Sequence, residues 1–374
     1  MTLTVNTSTA TYPVIVDAGA LATLPDHLAN LGARGTLWLV CDAAVQARFA
    51  APLAERLRAA GFTVNLHAVP SGEASKSPAQ LAELYDWLIA GGVERRDTLL
   101  ALGGGVIGDL AGYAAATVLR GIGVVQLPTT LLAMVDSAVG GKTGINHTLG
   151  KNLIGAFHQP RLVLADTDTL ATLAPRELRG GWAEVIKHGF IRDAGLLDEL
   201  ERIAAAQGWS AAQPGGLWHA HDPALVANLS MIIRRAVAVK VEVVSIDEFE
   251  RGERITLNYG HTLGHAIEAL AGYGTLLHGE AVAIGMHAAA RIAHALGLCA
   301  ASLIERQRAL LNAYGLSVNL PDFIDREQIY AIAMRDKKVS AKRIRWVLPT
   351  EIGKVVVRDD VPSEVVQAII RSAD

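Results

Sequence analysis

The chain has 374 residues, of which 51% are hydrophobic and 19% charged, and its formal net charge is −3 at pH 7. This length and composition predict two or three domains and exclude disorder as the main state. The charge balance argues against a nucleic-acid binder and against a polybasic membrane protein. The two cysteines, Cys41 and Cys299, exclude a disulfide scaffold and a cysteine-rich metal site, and they fit the reducing cytoplasm. No signal-peptide pattern opens the chain, and no apolar run reaches the roughly 18 residues of a membrane span.

Strands alternate with helices through the first half of the chain, which predicts a largely parallel sheet covered on both faces. The apolar–polar alternation of Leu3–Val16 predicts an antiparallel hairpin at the sheet edge. The predicted strands are Gly35–Asp42, Phe62–Val69, Asp97–Leu102, Gly123–Leu127 and Arg161–Ala165, and the predicted helices are Ala43–Ala60 and Ser77–Ala90.

The second half of the chain is rich in alanine and helical in its periodicity, so we predict an α/β domain over residues 1–178 and a mainly helical domain over 179–374. Gln207–Asp222 is predicted to be a surface loop. The predicted helices are Gly181–Ala205, Pro223–Ile246, Thr262–Leu270, Glu280–Leu296 and Ala301–Tyr314, and one strand pair is predicted at Arg343–Leu348 and Lys354–Arg358.

Glycines 103, 104, 105 and 108 join a predicted strand to a predicted helix. Glycines at such a junction let backbone N–H groups approach a phosphate at the helix N-terminus, although the spacing is not G-x-G-x-x-G. A tight turn without a ligand is an equally good interpretation. Asp42 lies at the end of the predicted strand Gly35–Asp42, where it could bind a ribose hydroxyl or cap the following helix.

A second glycine-rich segment, DSAVGGKTG, does not form a phosphate-binding P-loop. The P-loop pattern needs glycine at position 136, where this chain has Asp136, and the preceding LLAMV resembles a short helix rather than a strand. Lys142 and Lys151 remain candidates for holding an anion, although a solvated surface lysine is the commoner case.

Metal-binding residue types concentrate in the helical half: Glu184, His188, His261, His265 and His278. One glutamate and two histidines from separate helices make a catalytic zinc shell with an open position. Spacing does not choose among the five, although the i,i+4 pair His261 and His265 is the simplest choice. Each histidine taken singly could be a hydrogen-bonded core residue, whereas together they favour a metal site.

Several motifs resemble those of the 3-dehydroquinate synthase family of sugar-phosphate cyclases. They run in order from the SGEASK segment, residues 71–76, to the lysines at 337 and 338: GGGVIGDLAGYAAA, LRGIGVVQLPTTLLAMVDSAVGGKTGIN, GKNLIGAFHQP, WAEVIKHG, LNYGHTLGHAIE and LHGEAVAIGM. The departures, at Leu119, Met134 and Ala138, remove no residue expected to do chemistry.

The resemblance implies a Rossmann-like NAD-binding α/β domain with an edge hairpin, a mainly α-helical metal-binding domain, and an active site in the cleft between them. It implies a zinc or cobalt ion held by Glu184, His261 and His278, with His265 relaying protons instead of binding the metal. The residues that it implies for NAD are Asp42, Ser71, Gly72, Glu73, Ala74, Ser75, Lys76, Gly105, Val106, Ile107, Gly108, Asp109, Thr129, Thr130, Asp136, Lys142, Lys151, Thr169, Leu170, Ala171 and Thr172. Those implied for substrate and catalysis are Arg120, Lys142, Asn152, Lys187, Lys240, Arg254, Asn258, His265 and Lys338.

The activity that the resemblance implies is conversion of 3-deoxy-D-arabino-heptulosonate 7-phosphate to 3-dehydroquinate and phosphate, with NAD recycled. It also implies a homodimer in which Arg120 reaches the phosphate of the neighbouring subunit. Three alternatives stay open: a metal-dependent polyol dehydrogenase, a sister cyclase acting on another sugar phosphate, and an NAD-binding sensor without activity. The cationic residues Arg120, Lys151, Arg254 and Lys338 count against the dehydrogenase, because a polyol needs no phosphate pocket.

Overall fold

The computed structural model describes residues 2–216, 223–272, 274–336 and 344–372. The chain forms two compact units, Met1–Leu173 with Trp218–Phe249, and Ala174–Leu217 with Glu250–Asp374. The domain limits 1–178 and 179–374 stay a prediction. The units differ from them in two places. The boundary lies after Leu173, and the helix Pro223–Ile246 packs on the N-terminal strands of the first unit.

The first unit is built on a seven-stranded sheet. The strands of this unit are Leu3–Asn6 (β1), Thr11–Asp17 (β2), Thr36–Asp42 (β3), Thr63–Val69 (β4), Thr98–Gly103 (β5), Gly123–Pro128 (β6), Lys142–His147 (β7), Gly150–Phe157 (β8) and Leu162–Asp166 (β9). The strands of the sheet are mostly parallel, in the order β1-β2-β9-β6-β5-β3-β4, with the β1–β2 hairpin antiparallel at one edge as predicted. Its helices are Leu24–Asn30 (α1), Ala51–Ala59 (α2), Pro78–Ala90 (α3), Gly105–Thr117 (α4) and Pro223–Ile246 (α7).

Strand β3 shows why the sheet is covered on both faces. Leu37, Leu39 and Cys41 are buried in the core on one face, whereas Trp38 and Val40 are buried in the core on the other. Side chains alternate along a strand, so a continuous apolar run buries both faces. The predicted mostly parallel α/β architecture is therefore confirmed.

The second unit is mainly helical, as predicted, with one two-stranded antiparallel sheet. The predicted helix Gly181–Ala205 is two helices, because the chain leaves helical geometry at Arg192 and Asp193 caps the next helix through its side chain. None of the helices in the described part of the chain combines the length and apolarity that a bilayer crossing demands. The helices of the second unit are Pro175–Ile191 (α5), Ala194–Ala206 (α6), His261–Ala271 (α8), His278–Ala295 (α9), Ala301–Ala313 (α10), Arg326–Asp336 (α11) and Ser363–Arg371 (α12). Its strands are Trp346–Glu351 (β10) and Lys354–Arg358 (β11).

Two other elements differ from the sequence interpretation. The predicted helix Ala43–Ala60 is interrupted by a 3₁₀ turn and a π turn before α2 begins. The β7–β8 hairpin follows the segment DSAVGG, where the sequence indicated only a loop. Its strands were missed because glycine and polar residues replace the apolar alternation that marks a strand.

Candidate active site

Three helices of the second unit, α5, α8 and α9, carry Glu184, His261 and His278. Glycines let these helices approach closely. A Cβ on Gly279 would lie 1.9 Å from the carbonyl oxygen of Gly180, and one on Gly285 would lie 2.0 Å from that of Gly260. Because no side chain fits at either position, glycine there is what brings the three metal-competent residues together.

Glu184 is the centre of the cluster. Its Oε1 lies 3.6 Å from Nε2 of His261 and 3.6 Å from Nε2 of His278, and its Oε2 forms an ion pair with Nζ of Lys187. The side chain is fully buried, yet neither carboxylate oxygen accepts a hydrogen bond of ordinary geometry from the described residues. A buried carboxylate without such bonds is costly unless another ligand completes its surroundings.

The other ring nitrogens of the two histidines are already engaged. Nδ1 of His261 lies 3.1 Å from the carbonyl oxygen of Tyr259, and Nδ1 of His278 lies 3.2 Å from Oε2 of Glu268. Both partners can only accept, so Nδ1 is the donor in each ring. Nε2 of His261 and of His278 is thereby directed toward Glu184, the arrangement typical of metal-binding imidazoles with outer-shell partners.

The electrostatics of the cluster follow from its burial. Burial alone would raise the pKa of Glu184, but Lys187 and the two imidazoles hold it well below its ordinary value. Burial and the Lys187 charge lower the pKa of His261 well below its ordinary value, so that ring is neutral. Burial also opposes a charge on His278, but the neighbouring carboxylates of Glu184 and Glu268 raise its pKa to about 9.

These residues fit a divalent metal. Ligand atoms about 2.0–2.1 Å from a tetrahedral ion lie roughly 3.3–3.4 Å from one another, close to the 3.6 Å separations around Glu184. The ring nitrogens of His261, His265 and His278 also lie within 4.8 Å of one another. His265 differs from His261 in being exposed, and its implied role outside the metal shell stays a prediction.

The glycine turn of the first unit fits a phosphate. Gly104 is the N-cap of α4 and supplies no side-chain cap, so the first N–H groups of the helix face outward without one. A Cβ on Gly104 would lie 3.0 Å from Cγ2 of Thr130, and one on Gly105 would lie 3.0 Å from Oγ of Ser137. A side chain at either position would press on its neighbour, so glycine suits this close approach, and the helix dipole favours an anion there.

Further residues implied for NAD gather around this turn. Asp42 accepts hydrogen bonds from the backbone N–H of Ala44 and the hydroxyl of Ser71, so it is an N-cap and also ties β3 to the 71–76 segment. Nζ of Lys76 lies 2.5 Å from Oδ2 of Asp109 in a largely buried ion pair. Burial raises the pKa of Asp109, and Lys76 offsets part of that rise.

The remaining predicted residues lie in several places. Lys240 donates to Asp136 in the first unit, with Nζ 2.5 Å from Oδ1. In the second unit Arg254 is buried and Asn258 donates to Glu250 at 2.9 Å. Thr129 and Thr169 are buried, Leu170 is buried in the same short helix as Ala171 and Thr172, and Lys142 and Arg120 are exposed. Lys338 and residues 217–222 of the predicted surface loop lie outside the described residues.

Sequence reasoning missed Glu268 and Asn146. Glu268 is buried beside His278, and it lies three residues after His265 and seven after His261, on one face of α8. This spacing is the sequence feature that could have identified Glu268. No sequence feature could have identified Asn146, because its contacts depend on an irregularity in the β7–β8 hairpin.

Comparison with known proteins identifies the family. Residues 66–180 match the family model described as 3-dehydroquinate synthase N-terminal, and residues 181–339 match that described as 3-dehydroquinate synthase C-terminal. The chain belongs to the 3-dehydroquinate synthase family. A 3-dehydroquinate synthase of Synechocystis sp. is 48% identical over 96% of each chain, and one of Nostoc punctiforme is 46% identical over 99% of this chain and 98% of its own.

Solved structures agree with this assignment. A 2-deoxy-scyllo-inosose synthase complexed with carbaglucose-6-phosphate, NAD⁺ and Co²⁺ superimposes with a TM-score of 0.85 at 26% identity over 100% of both chains. A 2-epi-5-epi-valiolone synthase of Streptomyces hygroscopicus with NAD⁺ and Zn²⁺ bound gives 0.84 at 30% identity over 96% of both chains. A glycerol dehydrogenase of Schizosaccharomyces pombe, at 17% identity and a TM-score of 0.66 over 95% of this chain and 87% of its own, shares the fold.

Proposed function

We propose that this protein is a 3-dehydroquinate synthase, converting 3-deoxy-D-arabino-heptulosonate 7-phosphate to 3-dehydroquinate and phosphate. Identity of 48% to a relative of that name over 96% of both chains supports the proposal. The observation that carries it in the structure is Glu184, a fully buried carboxylate with two Nε2 atoms 3.6 Å from one oxygen. A polarising metal beside a redox cofactor is what oxidation of a sugar hydroxyl needs.

The cofactors we propose are NAD and a divalent metal, zinc or cobalt, as bound by the two solved synthases. When bound, NAD supplies reversible oxidation of a secondary alcohol and the metal acidifies that alcohol. Glu184, His261 and His278 would hold the metal. The α4 N-terminus and the 71–76 segment would hold NAD.

The cationic side chains of this chain would bind and orient the substrate. Its carboxylate and phosphate call for lysine and arginine, and charge-assisted hydrogen bonds are the strong ones. Lys240 is held by Asp136 and Lys187 by Glu184, so both ammonium groups are oriented in advance. The exposed ring of His265 would accept the proton lost by the substrate hydroxyl and return it later.

The test is phosphate release from the heptulosonate phosphate by the purified full chain supplied with zinc and limiting NAD. We expect phosphate and 3-dehydroquinate to form in equal amounts and to exceed the NAD many-fold, because the ketone is reduced again within the same cycle. NADH accumulating one-to-one with product would instead indicate a dehydrogenase. Turnover of another sugar phosphate alone would indicate a sister cyclase.

We further propose a cytoplasmic homodimer in which Arg120 contributes to the phosphate site. Both cysteines are buried and free, which suits a reducing compartment. Leu119 and Arg120 are exposed and have positive φ values of 51° and 68°, a costly conformation that points to a role for this turn. Light scattering gives the subunit number. Mixing Arg120→Ala subunits with subunits that carry an inactive metal site tests the shared site, because activity should return if Arg120 acts across the interface.

A further inference from the structure

The β7–β8 hairpin contains a bulge whose only residue on the β7 side is Asn146. Ile145 lies opposite Ile154, and His147 lies opposite Gly150, so Asn146 faces three residues, 151–153. Bulges are common next to active sites, where they redirect side chains. Here the bulge contains Lys151 and Asn152, and Asn152 adopts a left-handed conformation with φ of 57°.

The side-chain amide of Asn146 closes this irregularity. Its Oδ1 accepts a hydrogen bond from the backbone N–H of Asn152 at 2.9 Å, and its Nδ2 donates to Oε1 of Glu73 at 2.7 Å. The backbone N–H of Asn146 also donates to the carbonyl oxygen of Lys76 at 2.8 Å. The N–H group of Asn152 requires an acceptor, which only the amide oxygen of Asn146 provides. The carboxylate of Glu73 requires a donor, which only the amide nitrogen provides.

Asn146 therefore links two segments that the proposed function uses differently. Glu73 and Lys76 belong to the 71–76 segment, which we assign to NAD. Asn152, in the bulge, is among the residues that the family resemblance implies for the substrate. Lys151 lies between them, with Nζ 4.0 Å from Oε1 of Glu73. The carboxylate of Glu73 is thus shared between the amide of Asn146 and the ammonium group of Lys151.

We propose that Asn146 is a positioning residue that couples the two ligand sites, so that NAD bound at the 71–76 segment raises the affinity of the Asn152 turn for substrate. This inference rests on the proposed function. A ligand that orders Glu73 fixes the amide of Asn146, and the amide fixes the backbone of Asn152. The second ligand then binds a turn that is already ordered, which is positive coupling between sites.

A regular hairpin would not need this amide. The main-chain ladder of an antiparallel pair satisfies its own N–H groups, and only the bulge leaves the N–H of Asn152 to a side chain. The reach of the same side chain to Glu73 has no role in closing the hairpin. That second contact distinguishes a link between two segments from a local repair of the strand pair.

The experiment measures the dissociation constant of NAD by calorimetry with and without a saturating phosphonate analogue of the heptulosonate phosphate. The ratio of the two constants is the coupling factor, which must be the same when measured from the analogue side. For the unaltered full chain we expect at least about fivefold, the lower end of usual coupling. For Asn146→Ala we expect less than about twofold and weaker analogue binding even without NAD.

Asn146→Asp separates the two contacts, because a carboxylate still accepts from Asn152 but repels Glu73. We expect analogue affinity without NAD to stay near that of the unaltered chain, while the coupling factor falls below about twofold. Leu149→Ala is the matched control, since Leu149 lies in the same hairpin and is 85% exposed. Its coupling factor should not change, and thermal unfolding checks that every variant is folded.

The outcomes separate this inference from the proposed function. Coupling unchanged in Asn146→Asp, or a coupling factor near one in the unaltered chain that binds both ligands, would overturn the inference and leave the function in place. An unaltered chain that binds neither NAD nor the analogue would overturn the proposed function, and the inference with it.

Discussion

Two buried glutamates, one in each unit, have opposite surroundings. Glu248 in the first unit accepts hydrogen bonds from neutral donors: Oγ of Ser8 at 2.6 Å, the backbone N–H of Thr9 at 3.2 Å and Nε2 of Gln159 at 2.9 Å. Glu184 in the second unit accepts none of ordinary geometry among the described residues and lies instead beside Lys187 and two imidazoles. Glu184 is fully buried and Glu248 nearly so, with 6% of it exposed, and the two also differ in what stabilises their charge.

We interpret the difference as that between a carboxylate that stabilises the fold and one that is proposed to bind a metal. Neutral donors that surround Glu248 fix a shape, and through Gln159 the network reaches Tyr12, whose hydroxyl accepts from the backbone N–H of Gly140. Glu248 therefore supports the turn that leads into Lys142. The surroundings of Glu184 bring one carboxylate oxygen and two ring nitrogens together, an arrangement that a metal would complete.

The largest expected effect is loss of the metal in Glu184→Gln. The neutral amide removes the charge of the central ligand, so the purified variant should lack stoichiometric zinc. Lewis acidity is worth several kcal/mol, and about 4 kcal/mol corresponds to roughly a thousandfold in rate. Metal analysis and phosphate-release assays on this variant should show both losses.

Glu248→Gln is the matched control, because it changes a buried glutamate in the same way outside the cluster. It should retain its zinc. Equal zinc loss in both variants would mean that the different surroundings of the two carboxylates do not determine which of them binds the metal.

His265→Ala tests where the cluster ends. An acid–base histidine contributes about 10²–10⁴-fold to rate, so we expect a loss of at least about a hundredfold with the metal retained. His294→Ala, an exposed histidine of α9, is the control and should leave the rate unchanged. A zinc-free His265→Ala that regains activity in excess zinc would place His265 in the metal shell.

The sequence was sufficient to predict the fold wherever apolar periodicity is strong. Strand β3 and helix α7 fall within a residue of their predicted bounds, because an unbroken apolar run and a long amphipathic pattern each have one good solution. The β7–β8 hairpin was not predicted, since its glycines and polar residues carry no alternation. The predicted helix Gly181–Ala205 breaks at Asp193, where a side-chain cap outweighs the continuing helical composition.

The residue types of the candidate site could be predicted from the sequence, but the contacts that hold those residues in place could not. Glutamate and histidine in a few helices indicate a metal from the sequence alone, but the choice of His278 over His265 came from family resemblance. In the structure it is supported by the Nδ1 contact with Glu268 and by the exposure of His265. Asn146 and the positive φ of Asn152 are consequences of a bulge, and no residue type encodes a register shift.

Glu268 extends the comparison, because it is a buried carboxylate in contact with His278, one of the proposed metal ligands. Removing the outer-shell partner of a ligating histidine typically weakens metal affinity about 10–100-fold. We expect that loss in Glu268→Ala, measured by competition with a chelator. Glu268→Gln should recover part of it, since the amide oxygen can still accept from Nδ1 of His278. Unchanged affinity in Glu268→Ala would show that the contact does not orient the ring.

The smallest expected effect concerns the pH dependence of stability. Burial by itself would raise the pKa of Glu248, but hydrogen bonds from Ser8, Thr9 and Gln159 outweigh it and lower the pKa to about 2. A carboxyl whose pKa is lower in the folded state stabilises the fold above its unfolded pKa, near 4.3, and loses that contribution as the pH falls toward 2. Between pH 5 and pH 3 this group should account for about 2 kcal/mol of lost unfolding free energy.

Urea unfolding of Glu248→Gln and of the unaltered chain at pH 5 and at pH 3 measures the contribution of Glu248. The variant should be less stable than the unaltered chain at pH 5. The gap in unfolding free energy between the two should narrow by about 2 kcal/mol at pH 3, because the amide does not titrate. Glu55→Gln is the control, since the Glu55 side chain is 75% exposed and its substitution should leave the gap nearly constant. A gap for Glu248→Gln that does not narrow would mean that the neutral donors do not hold the charge of Glu248, and the two glutamates would then not differ in the way their surroundings indicate.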